Sequence, residues 1–151
     1  MGHSYSRHYV HIVFATKYRR KLIHPGEMEA GLHAYMAGII NNRHGFAKKI
    51  NGIADHIHIL ADLKRDTSVA ALVQDVKSYS SRWVNRHYAV PGKFRWQEGY
   101  GVFSVNPMGV GRVVRYIERQ KVHHRQIIFE TEYVALLKKH RIQFDENDLW
   151  D

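Results

Sequence analysis

The run Ile53-Ala54-Asp55-His56-Ile57-His58-Ile59-Leu60 sets two imidazoles inside an otherwise apolar stretch, and that restricts how the chain can fold. In a β-strand, side chains alternate between faces, so Ile57 and Ile59 point into a core while His56 and His58 project together from the other side. The apolar neighbours make this a central strand, where two unpaired imidazoles have to be satisfied by partners. Neutral imidazole is a frequent metal ligand. Spacing alone leaves a second reading open, in which the pair is simply two polar residues on a solvated face.

The flanking sequence supplies a sheet for that strand. Tyr9 to Ala15 alternates Val10, Ile12 and Phe14 with Tyr9, His11 and Val13, a strand pattern. After the basic cluster Lys17-Tyr18-Arg19-Arg20-Lys21 and Pro25-Gly26, the spacing of Met28, Leu32, Tyr35, Met36, Ile39 and Ile40 predicts a helix from Glu27 to Arg43. Phe46 to Ala54 and His56 to Leu63 read as strands, with Asn51-Gly52 expected as a tight turn or a bulge. Asp66-Thr67-Ser68 supplies N-cap residues for a helix through about Tyr88 that buries Val69, Leu72, Val73, Val76, Tyr79, Trp83 and Val84. A strand over Gly99 to Val105, a helix from about Val110 to Arg125 and a last helix from Phe129 to Arg141 complete the series.

Strand, helix, strand, strand, helix, strand is the order of an α+β, ferredoxin-like (RRM-like) domain. Two helices then cover one face of an antiparallel sheet. His56 and His58 fall on the other face, which the helix carrying Tyr116 is expected to cover. A length of 151 residues suits a single domain, 1–151.

Composition narrows the function. No apolar stretch approaches the roughly 18 residues that span a bilayer, and the N-terminus lacks the order of a secretory signal, so a cytoplasmic location is expected. The absence of cysteine excludes disulfides, thiolate nucleophiles and sulfur-built zinc sites. Lys+Arg number 23 against 14 Asp+Glu, a formal charge of +9 that favours a polyanionic partner.

Tyr116 and Gln120 are four apart on the expected helix and so share a face. An amide carbonyl is a hard oxygen donor suited to Mg²⁺ or Mn²⁺, and with two imidazoles it leaves an octahedral ion with open positions for a phosphate. A third histidine from His123-His124 or His11 would instead make a zinc site. A lone tyrosine in a helix is usually packing. Arg112, Arg115, Glu118, Arg119 and Lys121 make this helix too charged for a core element, and an activated phenol is an accepted covalent nucleophile. Spacing reveals no base for its proton.

Taken together, Asp55-His56-Ile57-His58-Ile59-Leu60, the early Lys17-Tyr18-Arg19-Arg20-Lys21, Gly99-Tyr100-Gly101-Val102-Phe103-Ser104-Val105 and Tyr116-Ile117-Glu118-Arg119-Gln120 with His123-His124 resemble the single-tyrosine HUH transposases of small bacterial insertion sequences, HUH standing for His-hydrophobic-His. The likeness extends through Phe129-Glu130-Thr131-Glu132-Tyr133 and Leu136-Leu137-Lys138-Lys139. The resemblance implies that His56, His58 and Gln120 hold the divalent metal, Mg²⁺ or Mn²⁺, and that Tyr116 is the nucleophile. It implies cleavage and rejoining of single-stranded DNA at hairpin-marked element ends through a 5′-phosphotyrosine, by a homodimer in which the tyrosine helix can serve the partner's site. A domesticated relative acting on chromosomal palindromic repeats would look the same. The chain departs from the family in reaching the tyrosine helix through Asn106-Pro107-Met108-Gly109-Val110-Gly111 rather than small hydroxyl residues, and the two glycines would suit a hinge.

Lys17, Arg19, Arg20 and Lys21 in the first connection, and Lys77, Arg82 and Arg86 on the second long helix, are the expected phosphate contacts, with Tyr18 or Trp96 available to stack on unpaired bases. Two other functions fit parts of the pattern. A non-catalytic, single-stranded nucleic-acid-binding module explains charge and fold but leaves Tyr116, Gln120 and the histidines without a role. A zinc hydrolase would use His56, His58 and a later histidine.

Overall fold

In a computed structural model that describes residues 2–150, alternating apolar residues build a four-stranded antiparallel sheet in the order β2-β3-β1-β4. The strands are β1 (Tyr9–Ala15), β2 (Gly45–Ile53), β3 (His56–Leu63) and β4 (Gly101–Val105). Helices α1 (Glu27–Arg43) and α2 (Val69–His87) connect them in the expected order. The chain is thus α+β and ferredoxin-like, with β3 and β1 central.

Register explains the two faces. Ile12 pairs with Ile59 and Phe14 with Ile57, and these side chains form the main core with Leu32, Met36 and Ile40 of α1 and Leu72, Val73, Val76 and Val84 of α2. On the opposite face Val13 pairs with His58 and Ala15 with His56. The first six residues of β3 are all buried, so the histidine face is covered too. Short α3 (Val110–Glu118) and α4 (Gln120–His123), followed by α5 (Phe129–Lys139), do the covering. Leu60 packs with Val110 and Ile117 of α3, whereas Val13, Ala15 and Phe103 pack with Phe129, Tyr133, Leu136 and Leu137 of α5.

Several expectations change in detail. The β2–β3 turn is Ala54-Asp55, since Ile53 pairs with His56, and Asn51-Gly52 lies within β2. Gly52 is required there by close approach: a Cβ would sit 2.2 Å from the carbonyl oxygen of His56. The irregularity of β2 falls between Ala47 and Lys49. On α2, Ser68 caps the helix by accepting from the Ala71 amide at 3.1 Å, and Ser80 rather than Tyr79 is buried, accepting from Trp96 Nε1 at 2.9 Å.

The expected continuous helix over 110–125 is interrupted at Arg119 (φ −92°, ψ 12°). The cause is tertiary: Asn51 Nδ2 donates to the carbonyls of Ile117 (2.9 Å) and Glu118 (3.4 Å), capping the end of α3 from the sheet. Lys121, just beyond the break, donates to Glu29 (2.5 Å) and to Asn51 Oδ1 (3.0 Å). Ahead of α3, Asn106 Oδ1 accepts from the Met108 amide at 2.9 Å, and Pro107–Gly109 form a 3₁₀ turn. Gly109 has an ordinary φ of −97°.

Candidate active site

His56 and His58 are fully buried on the face away from α1 and α2, where the strand period places them. Each is held from behind. Asp55, in the hairpin turn, meets His56 Nδ1 at 2.8 Å, and His11 of β1 meets His58 Nδ1 at 2.8 Å. Gln120, also fully buried, brings its Oε1 to 2.9 Å from His56 Nε2. Despite the break at Arg119, Tyr116 and Gln120 still converge on one place.

That place is the carboxylate of Glu132, on the first turn of α5 and nearly fully buried. Its Oε1 lies 3.0 Å from His58 Nε2, 2.9 Å from His124 Nε2 and 3.3 Å from His56 Nε2. Its Oε2 accepts from the Tyr116 hydroxyl and, at 2.8 Å, from Gln120 Nε2. His123 Nε2 stands 3.4 Å away, buried and without a hydrogen bond. His56, His58, His124 and Glu132 can each turn one ligand atom to a common point, all within 4.8 Å of one another, a group able to hold a metal ion.

Charge in the cluster follows from burial and these partners. Burial would lower the pKa of His56, but Asp55 and Glu132 overcome it and push it up to about 9. For His58 burial wins over Glu132, taking it down to about 4. Burial would raise Glu132, yet His124, His56 and His58 hold its carboxyl far below the usual range. Burial first, then the Glu132 charge, raises the Tyr116 phenol.

The donor set fits a cation. The Nδ1 of His124 can only donate to the carbonyl of Ile127, 2.8 Å away, and the Nδ1 of His56 faces the Asp55 carboxylate. When such a ring is neutral its Nε2 carries the lone pair, aimed at carboxylate and amide oxygens that are themselves acceptors; without a cation a proton on His56, whose pKa is raised, takes that place. Lone pairs converging from imidazole, amide and carboxylate need a proton or a metal between them. An acceptor behind each imidazole is also the arrangement that fixes ring tautomers in metal sites.

Sequence reasoning found His56, His58, Gln120 and Tyr116, and the structure brings them together. It missed Glu132, although one signal was present: Glu132 shares the spacing of Phe129, Tyr133 and Leu136, an acidic residue on a helix face that is otherwise apolar and buried.

The seven expected DNA contacts lie elsewhere, on α2 and the β1–α1 connection. Lys77 donates to the carbonyls of Gln97, Glu98 and Gly99, and Arg20 to that of Pro91. Arg19 lies over the Trp150 ring and 3.6 Å from Glu130, and Arg82 lies over Tyr79. Lys17 packs against Tyr18, while Lys21 and Arg86 are exposed.

An antiparallel α+β sheet whose central strand sets a His-x-His pair beneath a tyrosine-bearing helix defines a tyrosine transposase fold. The family model described as "Transposase IS200 like" matches residues 4–120, and the chain belongs to that family of DNA-cleaving and strand-transferring proteins. The match ends at Gln120, so His124 and Glu132 come from the segment beyond it. Among solved structures, the chain is similar to a protein of Deinococcus radiodurans R1 described as a candidate transposase, with 22% identity and a TM-score of 0.59 over 80% of this chain and 96% of that one. It is also similar to a REP-associated tyrosine transposase bound to a REP hairpin, with 14% identity and a TM-score of 0.62 over 84% of this chain and 74% of the other. These likenesses establish the fold. No curated protein sequence matches. Among the described residues no helix is long and apolar enough to cross a membrane.

Proposed function

We propose that this transposase cleaves and rejoins single-stranded DNA, with Tyr116 as nucleophile and with His56, His58 and Gln120 as ligands of a divalent ion, Mg²⁺ or Mn²⁺. The convergence of the Tyr116 hydroxyl and the Gln120 amide on the histidine pair carries this reading. The Tyr116 oxygen attacks a backbone phosphorus and the bond from phosphorus to the 3′ oxygen breaks, leaving a 5′-phosphotyrosine and a free 3′-hydroxyl. Reversal by a 3′-hydroxyl rejoins the strand without an external energy source. When bound, the metal supplies positive charge beside the non-bridging phosphate oxygens. His56 and His58 hold it rigidly because Asp55 and His11 fix their rings, and Glu132 orients the phenol toward the same point.

The hairpin complex of one similar protein, together with the +9 charge, supports a palindromic single-stranded DNA as substrate, from an element end or a chromosomal repeat. Lys17, Arg19, Arg20, Lys21, Lys77, Arg82 and Arg86 are proposed contacts to its phosphates; Arg20 has guanidinium donors besides the one on Pro91, whereas Lys77, with three carbonyls on its ammonium, would first have to release one of them. The resemblance also supports a homodimer, although Tyr116 meets the histidines of its own chain.

His124 favours a second reading, because three imidazoles and a carboxylate also make a hydrolytic zinc site. One experiment separates the two. An end-labelled DNA hairpin with single-stranded flanks is incubated with Mg²⁺, Mn²⁺ or Zn²⁺ and the wild type or Tyr116→Phe. Strand transfer predicts a labelled protein–DNA adduct that the variant does not form while still binding the hairpin; cleavage without adduct selects hydrolysis.

A further inference from the structure

Beside Tyr116, between β4, α3 and α5, lies a cavity of about 500 Å³. Its walls are mostly apolar, with Phe103, Val113 and Leu136 beside the polar Ser104 and Asn106, and the Tyr116 ring closes one side. His140 stacks on Phe103 at 4.4 Å between ring centroids, giving the cavity an aromatic edge. At its rim stand Arg112 and Lys139, exposed and without a carboxylate partner among the described residues. A second cavity, of about 480 Å³, flanks Tyr116 on the other side and is lined by Arg112, Arg115 and Arg119. Tyr116 and Arg112 border both cavities, so a strand laid across the helix would pass over the phenol with cations on each side.

An apolar slot with an aromatic edge and two unpaired cations at its mouth matches a flat, uncharged ring carried between two phosphates. We propose that this cavity receives the unpaired nucleotide next to the scissile phosphate, its base against Phe103, Val113 and Leu136 and its flanking phosphates on Arg112 and Lys139. The inference rests on the reading of Tyr116 as the residue that attacks DNA. It supplies what that reading lacks, a means of seating one particular phosphate against the phenol. Arg112, Val113 and Lys139 are thereby strand-positioning residues, separate from the basic residues of α2 and the β1–α1 connection.

The test titrates the full chain with the four deoxynucleoside 3′,5′-bisphosphates and with base-free deoxyribose 3,5-bisphosphate, observed through methyl NMR signals. The signals of Val113 and Leu136 should shift and saturate with at least one nucleotide, and the base-free probe should bind roughly tenfold more weakly, the scale of one stacked base. Arg112→Ala should weaken both probes alike, and Val113→Trp, which fills the slot, should abolish the preference for a base. Should Val113→Trp misfold, the wild-type shifts and the Arg112→Ala titration still decide. Shifts confined to α2 or the β1–α1 connection, no shift at several millimolar nucleotide, or equal affinity for the two kinds of probe would overturn the proposal. Adduct formation by a protein that shows no such shifts would reject the cavity and leave strand transfer standing; saturable shifts without any adduct would reject strand transfer instead.

Discussion

Tyr116 donates its hydroxyl to the carboxylate of Glu132, 16 residues later on a different helix, and the other oxygen of that carboxylate faces His56, His58 and His124. A single buried anion therefore ties the phenol to the histidine pair. Removing it strands several polar groups at once. Glu132→Ala should lower the unfolding free energy by roughly 3–5 kcal/mol, the scale of a broken buried ionic network. Glu132→Gln, which keeps the shape and one acceptor, should lose clearly less. Urea denaturation of both variants checks this, and equal losses would mean that the charge alone holds the cluster and that the shape and remaining acceptor of the side chain contribute nothing.

Asp55 stands behind His56 as an acceptor on Nδ1 at 2.8 Å, directing Nε2 toward Gln120 and Glu132, where a metal would sit. Asp55→Asn preserves the size of the side chain but removes the charge that fixes the tautomer. Mn²⁺ affinity, measured by calorimetry, should fall about 10–100-fold, the usual cost of losing such a supporting partner. An unchanged affinity would remove Asp55 from the account.

The two histidines pull stability in opposite directions as pH changes. His56 is raised from 6.5 to about 9, so its contribution is fully present below pH 6.5 and is lost as pH climbs through about 9. His58 is lowered to about 4, so the folded chain binds its proton less readily than the unfolded chain does. That contribution is present above pH 6.5 and is lost as pH falls toward 4. In the presence of EDTA the urea midpoint should therefore peak near neutrality and fall on both sides; a midpoint rising steadily to pH 9 would contradict the assignment for His56.

Asn51 holds the end of α3 to the sheet through the carbonyls of Ile117 and Glu118. Asn51→Ala removes the side-chain donor from those carbonyls and should destabilise the chain by about 1–2 kcal/mol, the scale of a lost hydrogen bond in a half-buried place. Because α3 carries Tyr116 and the break sets the angle to Gln120, adduct yield should fall by more than Tm alone explains. Parallel thermal melts and adduct assays separate the two effects.

Local rules made part of this molecule legible. A period of two assigned His56 and His58 to one face and Ile57 and Ile59 to the other, and the register bears that out. The order of elements was enough for the fold. What sequence spacing could not convey were relations between distant segments. The break at Arg119 has no glycine or proline to announce it, because Asn51 imposes it from β2. The turn at Ala54-Asp55 displaced the more turn-like Asn51-Gly52 because Gly52 is needed for close passage against His56. Glu132 had no role assigned from sequence, since an acidic residue in the first turn of a helix is ordinary, and only the packing of Phe129, Tyr133 and Leu136 turns it inward.

The covalent link itself offers the most direct measurement. After reaction of the wild-type chain with a DNA hairpin and divalent metal, proteolysis and mass spectrometry should find one peptide bearing nucleotide mass, its fragment ions placing the phosphate on Tyr116 and its DNA joined through the 5′ end. Nucleotide mass on another residue, a 3′ linkage, or cleaved DNA with every peptide unmodified would contradict the account.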